Sequence, residues 1–157
     1  MRIGLISDTH GQLRPQVFEH FQGVKLILHA GDVGSEDVLT ELRTIAPVHA
    51  VVGNTDTFPL IEQLPEIQEL KLRRRNVVVT HGHRLAGTPT PELLRRAHPE
   101  ADIIIYGHTH KPYVGRAEGT LIVNPGAAGP ARFRLKPSIA ILEWNRFREE
   151  IVRLIEL

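Results

Sequence analysis

The chain contains no cysteine, and only 5% of its 157 residues are aromatic. Without cysteine it can form no disulfide, thiolate nucleophile, iron–sulfur cluster or cysteine-bound zinc site. No apolar run approaches the roughly 18–20 residues of a membrane-spanning helix. Nineteen basic and eighteen acidic residues give a formal charge of +1, which argues against a general nucleic-acid or membrane-surface binder. We expect a cytoplasmic protein without a cleavable signal sequence.

Short apolar runs alternate with helix-like stretches in the first half of the chain. Strands are predicted at 3–6, 24–28 and 48–52, with helices at 15–21 and, behind a capping Ser35, at 36–43. This order predicts a βαβαβ unit with right-handed crossovers. On the first helix, Val17, Phe18 and Phe21 are expected to share one face.

The second half of the chain is richer in strands. Runs at 64–72 and 77–79 predict a hairpin, Thr90 predicts the start of a helix, and further strands are predicted at 103–106, 121–123, 139–144 and 151–157. The last three follow without an intervening helix, as in an antiparallel end to a fold. The sequence therefore predicts one α/β domain over residues 1–157, with two sheets packed face to face and helices outside.

Side chains that can bind metals or catalyse reactions follow five of the predicted strands directly. They are Asp8 and His10, then Asp32, Asn54, His81, and finally His108 and His110. Because the carboxyl ends of strands in open α/β sheets form the ligand crevice, we expect these side chains to converge. A glycine stands beside most of them, which permits tight turns and close backbone approach.

These seven side chains form a ligand set for metal ions. Four imidazoles, two carboxylates and one carboxamide are too many for a single tetrahedral ion. They suit two ions about 3.5–4 Å apart that share a carboxylate and a water. Nitrogen and oxygen ligands without sulfur favour Mn²⁺, Fe, Co²⁺, Ni²⁺ or Zn²⁺. Two divalent ions against two carboxylates leave a positive site, which would attract an anion such as phosphate.

The motifs that carry these residues resemble those of the calcineurin-like metallophosphoesterases. The matching segments are Ser7-Asp8-Thr9-His10-Gly11, Gly31-Asp32, Gly53-Asn54-Thr55-Asp56, Thr80-His81-Gly82 and Gly107-His108-Thr109-His110. Asn124-Pro125-Gly126 is similar to the terminal motif of the family's small single-domain phosphodiesterases. The resemblance implies a two-sheet β-sandwich flanked by helices, in four αββα layers.

The resemblance also implies a role for each ligand. One metal would be held by Asp8, His10 and His110, the other by Asn54, His81 and His108, and Asp32 would bridge the two. Two divalent ions are implied, with Mn²⁺ expected and Ni²⁺, Fe, Co²⁺ or Zn²⁺ as alternatives. A hydroxide between them would attack phosphorus in line with the leaving oxygen. Asp32, Asn54 and His81 are the expected catalytic residues.

Three residues are expected to contact the substrate, a small organic or nucleotide phosphodiester. Asn54 offers an amide nitrogen to a phosphoryl oxygen. Arg132 matches a basic position of the terminal motif and is interpreted either as orienting a substrate phosphate or as an exposed loop arginine. Thr55 stands where many family members have a histidine, and threonine cannot act as a general acid near neutral pH. The small branch often lacks this histidine too, so we expect diesters to be preferred over monoesters.

Four further features have structural as well as functional interpretations. His83 is expected either beside the site or on its rim, and His29 is expected to be hydrogen-bonded in the core or behind the ligands. Asp56, or a carbonyl near Gly82 or Gly107, is expected to orient an imidazole. Arg73-Arg74-Arg75 is interpreted as a solvated turn, because no aromatic residue is interleaved to stack bases.

Two rival functions stay open at the level of the sequence. The family resemblance includes a retromer-associated scaffold protein in which metal ligands are partly replaced, whereas all seven positions here hold competent ligands. An amide or ester hydrolase would use the same metals, but a positive site favours phosphate. The expected partners are a small phosphodiester and, by the resemblance, further copies of the chain in a homodimer or larger assembly. Nucleic acid is not expected as a partner, and neither is a membrane.

Overall fold

The computed structural model describes residues 1–131, 134–145, 147 and 149–157. Its strands are β1 (Arg2–Ile6), β2 (Leu26–His29), β3 (Val48–Ala50), β4 (Ile67–Leu72), β5 (Arg75–Thr80), β6 (Ile103–Ile105), β7 (Tyr113–Ala117), β8 (Thr120–Asn124), β9 (Ser138–Trp144) and β10 (Glu150–Glu156). Its helices are α1 (Pro15–His20), α2 (Glu36–Arg43), α3 (Leu60–Gln63) and α4 (Pro91–Ala97). Across these described residues, each helix is too short or too polar to span a lipid bilayer.

The strands form two mixed sheets. Sheet A has the order β10-β9-β1-β2-β3, and sheet B has the order β4-β5-β6-β8-β7. In sheet A the strands β1, β2 and β3 are parallel, β9 pairs antiparallel with β1, and β10 pairs antiparallel with β9. In sheet B the strands β5, β6 and β8 are parallel, between the antiparallel edge strands β4 and β7. Each sheet therefore directs the carboxyl ends of its parallel strands to a common edge.

The main core lies between the two sheets. Alternate residues of a strand point to the same face, so Ile3 and Leu5 of β1 point inward and meet Val77 and Val79 of β5 in one buried cluster. The runs of β-branched and aliphatic residues in these strands follow from their burial on both faces.

Helices cover the outer faces of both sheets. On sheet A, Ile27 of β2 packs with Phe21 beyond α1 and with Leu39 of α2. On sheet B, Leu94 of α4 packs against Ile104 of β6. The result is the predicted αββα order of layers, and the predicted fold class is confirmed.

The structure also corrects details of the predicted elements. The βαβαβ unit and the β4–β5 hairpin are confirmed, but β8 pairs parallel to β6 rather than antiparallel. α3 and β7 were not predicted, because each is short and its sequence lacks a clear apolar period. On α1, Val17 is buried, whereas Phe18 is 37% exposed because it lies at the margin of the apolar face.

The packing of α4 depends on one side chain. Leu94 is the buried residue of that helix, so Leu94→Ala should lower the free energy of unfolding by about 2–5 kcal/mol, through lost transfer energy and the cavity left behind. Arg96→Ala, at an exposed position of α4, is the control and should change it by no more than about 0.5 kcal/mol. Urea unfolding of the two variants measures both values, and similar losses would contradict this packing.

Candidate metal centre

All seven predicted ligands lie just beyond the carboxyl ends of parallel strands. Sheet A contributes Asp8 and His10 after β1, Asp32 after β2 and Asn54 after β3. Sheet B contributes His81 after β5, and His108 and His110 after β6. The two sheets face each other, so the ligands of one meet those of the other.

The backbone at this edge is strained. Five of the seven ligand residues have φ in the left-handed region: Asp8 (53°), His10 (47°), Asp32 (52°), His108 (69°) and His110 (59°). Such conformations are uncommon outside glycine, although Asp and His adopt them more readily than most residues. Hydrogen bonds between loops hold them, since Asp8 N–H donates to the Gly31 carbonyl and His10 N–H to the Asp32 carbonyl, both at 3.0 Å. These hydrogen bonds keep the loops in the conformation that brings the ligand side chains together.

A first group of ligand atoms surrounds Asp8. Oδ1 of Asp8 lies 3.2 Å from Nε2 of His110, and Nε2 of His110 lies 3.4 Å from Nε2 of His10. One ligand atom from each of Asp8, His10, Asp32 and His110 falls within 4.8 Å of the others. This group is compact enough to share one ion.

A second group surrounds the amide oxygen of Asn54. Oδ1 of Asn54 lies 3.0 Å from Nε2 of His81 and 3.0 Å from Nδ1 of His108. The ring of His81 is fixed because its Nδ1 lies 2.7 Å from the Ala30 carbonyl, an acceptor, and so carries the proton. Nε2 at the other end of the ring faces Oδ1 of Asn54 and Oδ2 of Asp32, and it is a metal-binding atom once it carries no proton.

Asp32 lies between the two groups. Its Oδ2 is 3.4 Å from Nε2 of His81 and 3.9 Å from Nε2 of His10, while its Oδ1 accepts from the Thr55 N–H at 2.9 Å. Burial would raise the pKa of Asp32, but the hydrogen bonds from His81 and Thr55 outweigh burial and hold that pKa below its ordinary value. Asp32 is therefore ionised and offers an oxygen to both sides.

The donor set fits divalent cations. Oδ1 of Asp8 is buried and has no hydrogen-bond partner within the described ranges, and an unpaired buried carboxylate oxygen is costly unless a cation neutralises it. Oδ1 of Asn54 and Nε2 of His81 also converge, at 3.0 Å, and both atom types are ligands for divalent cations. Neutral imidazole, carboxylate and amide oxygen together suit Mn²⁺, Fe, Co²⁺, Ni²⁺ or Zn²⁺. The assignment of individual ligands to individual ions stays a prediction.

Glycines beside the ligands have little room for any side chain. A Cβ atom at Gly53 would lie 2.1 Å from Oδ1 of Asp32, and one at Gly107 would lie 2.1 Å from Oγ of Ser7. Ser7 in turn donates its hydroxyl to Oδ2 of Asp8 at 2.6 Å. The close approach expected from the glycine-rich motifs is therefore present.

His29 lies behind the ligands, which agrees with its expected supporting role. Its Nδ1 accepts from the Gly31 N–H at 3.2 Å. Its Nε2–H therefore donates to Oγ1 of Thr9 at 2.9 Å, and that hydroxyl donates to the Val33 carbonyl at 2.9 Å. Burial lowers the pKa of His29 from 6.5 to about 4, so the ring is neutral at physiological pH.

Asn124 braces the loop that carries two of the histidines. Its Nδ2 donates to the Gly107 carbonyl and to Oγ1 of Thr109, both at 3.0 Å, and its Oδ1 accepts from the Gly126 N–H at 2.8 Å. The terminal Asn-Pro-Gly motif thus holds the backbone around His108. The sequence identified the motif, but it did not indicate this bracing contact.

The remaining predicted residues have different outcomes. Thr55 faces the site, with its Oγ1 3.4 Å from Nδ1 of His10, whereas Arg132 lies outside the described residues. The ring of His83 lies beside those of His81 and His108, with centroids 5.3 and 6.4 Å away, which favours the interpretation of His83 as part of the site.

Asp56 binds backbone N–H groups rather than an imidazole. Its two carboxylate oxygens accept from the N–H groups of Gly34 and Gly53, each at 2.8 Å. A main-chain carbonyl orients the ring of His81, but it is that of Ala30 and not one near Gly82 or Gly107. Asp56 therefore shapes the loop around Asn54.

Comparison with known proteins assigns the chain to a family. A model of the calcineurin-like phosphoesterase superfamily domain matches residues 1–146. A probable metallophosphoesterase of Methanothermobacter thermautotrophicus is 38% identical over 162 residues, covering 98% of this chain and 92% of that protein. This chain belongs to the calcineurin-like phosphoesterase superfamily.

Other similar proteins cover most of the chain. A phosphodiesterase of Methanocaldococcus jannaschii is 31% identical over 145 residues, covering 80% of this chain and 83% of its own length. Wild-type Vps29 from Entamoeba histolytica, solved in complex with Zn²⁺, has a TM-score of 0.78 at 27% identity and 99% coverage of both chains. A novel archaeal phosphodiesterase has a TM-score of 0.76 at 25% identity, covering 99% of this chain and 100% of that one.

Loss of the Asn124 brace should weaken metal binding without unfolding the protein. Because groups that orient metal ligands are worth about 10–100-fold in affinity, Asn124→Ala should raise the Kd for Mn²⁺ by that factor in calorimetric titration. Asn76→Ala is the matched control, since Asn76 donates to the Glu100 carbonyl outside the ligand groups. An equal Kd in both variants would contradict the bracing role.

Burial of neutral His29 should make stability depend on pH. The unfolded chain binds a proton at His29 near pH 6.5, whereas the folded protein resists it down to about pH 4. Its contribution to stability is therefore complete at neutral pH and declines as the pH falls through that window, by about 2 kcal/mol at pH 5. His29→Gln, which keeps an N–H donor, should show a smaller decline in urea unfolding between pH 7 and pH 5. Equal declines in the free energy of unfolding of the wild type and of His29→Gln would refute this account.

Proposed function

We propose that this protein is a phosphodiesterase with two divalent metal ions. The ligands would be Asp8, His10 and His110 for one ion, Asn54, His81 and His108 for the other, and Asp32 for both. The observation that carries the proposal is the convergence of metal-ligating side chains on both sides of Asp32. Mn²⁺ is the expected ion, with Ni²⁺, Fe, Co²⁺ or Zn²⁺ as alternatives.

Bound divalent ions would supply Lewis acidity, which activates a water and neutralises charge on the phosphoryl oxygens. The chain's own residues would set the geometry. Asp32, ionised and fixed by the Thr55 N–H, would hold its two oxygens in a constant orientation. His81, locked by the Ala30 carbonyl, would present Nε2 without rotating. Such preorganisation lowers the reorganisation needed in the transition state.

Asn54 and Thr55 would meet the substrate at the exposed side of the centre. Both are exposed, and the Asn54 oxygen faces His81 and His108, which leaves its NH₂ group for a phosphoryl oxygen. Thr55 can donate a hydrogen bond but cannot protonate a departing alkoxide near neutral pH. Esters with good leaving groups should therefore react best, and we expect diesters to be favoured over monoesters.

The relatives support this choice of reaction. One relative at 31% identity and one structural neighbour are described as phosphodiesterases. A Zn²⁺ complex of Vps29 supports metal binding on this fold. The two imidazoles and two carboxylates that lie within 4.8 Å of one another, three of them buried, support at least one ion in this chain.

A protein-interaction scaffold on the same fold is the second candidate. The observation that favours it is the likeness to Vps29 along the whole chain, together with exposed apolar side chains such as Phe58 (72%) and Ile61 (53%). The complete ligand set argues for the enzyme, because a chain that serves only as a scaffold has no need of seven metal-ligating side chains that converge at one edge.

The proposal predicts metal-dependent hydrolysis of a diester. Metal-stripped protein should hydrolyse bis-p-nitrophenyl phosphate only after Mn²⁺ is added, with higher kcat/KM than for p-nitrophenyl phosphate. Asp32→Asn should lower kcat/KM for the diester by at least about 100-fold, because a central charge that preorganises the site is lost. Asp37→Asn, at an exposed position of α2, is the control and should match the wild type.

The outcomes separate the two candidates. Activity that appears with Mn²⁺ and vanishes with a chelator supports the phosphodiesterase. A faster reaction with the monoester would refute the preference for diesters. No hydrolysis with Mn²⁺, Ni²⁺, Co²⁺ or Zn²⁺, in protein shown by calorimetry to bind two ions, would favour the scaffold.

A further inference from the structure

A groove of about 540 Å³ opens beside the candidate metal centre. It lies between the segment that links β5 to α4 and the segment that links β6 to β7. Its wall is formed by Pro89, Tyr106, His108, Lys111, Pro112 and Tyr113. The chain has only two tyrosines, and both line this groove. We name these six residues the tyrosine groove.

The two tyrosines are held in place by packing. Tyr106 is 4% exposed and belongs to the buried cluster under α4, with Tyr113 packed against the same cluster. Burial raises the pKa of Tyr106 to about 12, so its phenol stays neutral. Because Tyr106 exposes so little of its ring, the half-buried Tyr113 supplies the aromatic surface that a ligand would contact.

Gly115 determines where the ring of Tyr113 lies. Tyr113 and Gly115 point to the same face of β7, and a Cβ atom at Gly115 would lie 2.2 Å from the hydroxyl of Tyr113 and 2.6 Å from its Cζ. The ring extends along the strand over the space that a side chain would fill. Any residue larger than glycine at 115 would push Tyr113 from its position.

The groove is continuous with the metal centre through His108. That side chain lines the groove, and its Nδ1 lies 3.0 Å from Oδ1 of Asn54 in the second ligand group. A phosphodiester whose phosphorus lies at the centre must extend two ester arms away from it, and this groove is a cavity within reach. Lys111 adds a positive charge at the wall, which suits the anionic phosphate.

We propose that the tyrosine groove binds an aromatic ester arm of the phosphodiester substrate, with Tyr113 as its specificity-determining residue. The inference rests on the proposed function, because the phosphate must lie at the metal centre. Pockets of about 300–1,000 Å³ are typical of small-molecule sites, so the groove has room for a phenyl ring or for a nucleoside. Planar rings pack favourably against tyrosine.

The test compares diesters that share the phosphate and differ in one arm. Dimethyl phosphate, methyl phenyl phosphate and thymidine 5′-(methyl phosphate) are titrated into the Mn²⁺-loaded protein by calorimetry, and they are also used as competitive inhibitors of bis-p-nitrophenyl phosphate hydrolysis. At least one of the two aromatic esters should bind about tenfold or more tightly than dimethyl phosphate. Preference for the phenyl ester indicates an aryl alcohol, and preference for the thymidine ester indicates a nucleoside.

Three variants locate the effect in the groove. Tyr113→Ala should reduce the preference for the aromatic ester to about twofold or less, and Gly115→Ala should do the same by displacing the ring. Val114→Ala is the matched control, since Val114 is 40% exposed and points to the opposite face of β7, and it should keep the full preference. Circular dichroism checks that each variant is folded, and the wild-type series alone decides the case if Tyr113→Ala does not fold.

Failure of this inference differs from failure of the proposed function. Equal binding of all three esters to the wild type, or a preference that survives in folded Tyr113→Ala, would overturn the groove assignment even if hydrolysis is observed. Absence of hydrolysis together with an aromatic preference in calorimetry would refute the phosphodiesterase but retain the groove as a binding site.

Discussion

The convergence of ligand atoms around Asp32 is the constraint on which the site depends. Carboxylate, amide and imidazole atoms approach one another there to 3.0–3.9 Å. Bringing a carboxylate and several polar groups together in a buried position is costly unless hydrogen-bond donors or a cation balance the charge. Strained φ values at five ligand residues add to its cost. The fold maintains it because the buried strands on either side are fixed by the core.

Main-chain groups do much of the positioning. The Ala30 carbonyl orients His81, and the Gly31 N–H orients His29. The carbonyls of Gly107 and of residues in the neighbouring loops receive the hydrogen bonds that keep these turns in register. Because main-chain atoms depend less on residue identity than side chains do, the ligand geometry is coupled closely to the sheet topology.

One sequence pattern, an apolar run followed by polar residues, allowed both the layers of the fold and the set of metal ligands to be predicted. Apolar runs such as 77–79 and 103–105 are buried on both faces of a sheet, so they are recognisable without knowledge of the partners. The polar residues that follow them belong to the edge where those strands end.

Positions that depend on contacts distant in sequence were harder to predict. Asp56 was expected to hold an imidazole, but which group occupies that position depends on the approach of β2 to β5. The bracing by Asn124 likewise depends on how β8 pairs with β6.

The division of the ligands between the sheets has a consequence for the whole protein. Each group contains ligands from both sheets. Asp8 and His10 of sheet A lie opposite His110 of sheet B, and Asn54 of sheet A lies opposite His81 and His108 of sheet B. An ion in either group would act as a crosslink between the two halves of the sandwich. A ligand that binds only the folded state adds about 2.7 kcal/mol of stability at 100 times its Kd. The resistance of the fold to heat would therefore vary with the free metal concentration around it.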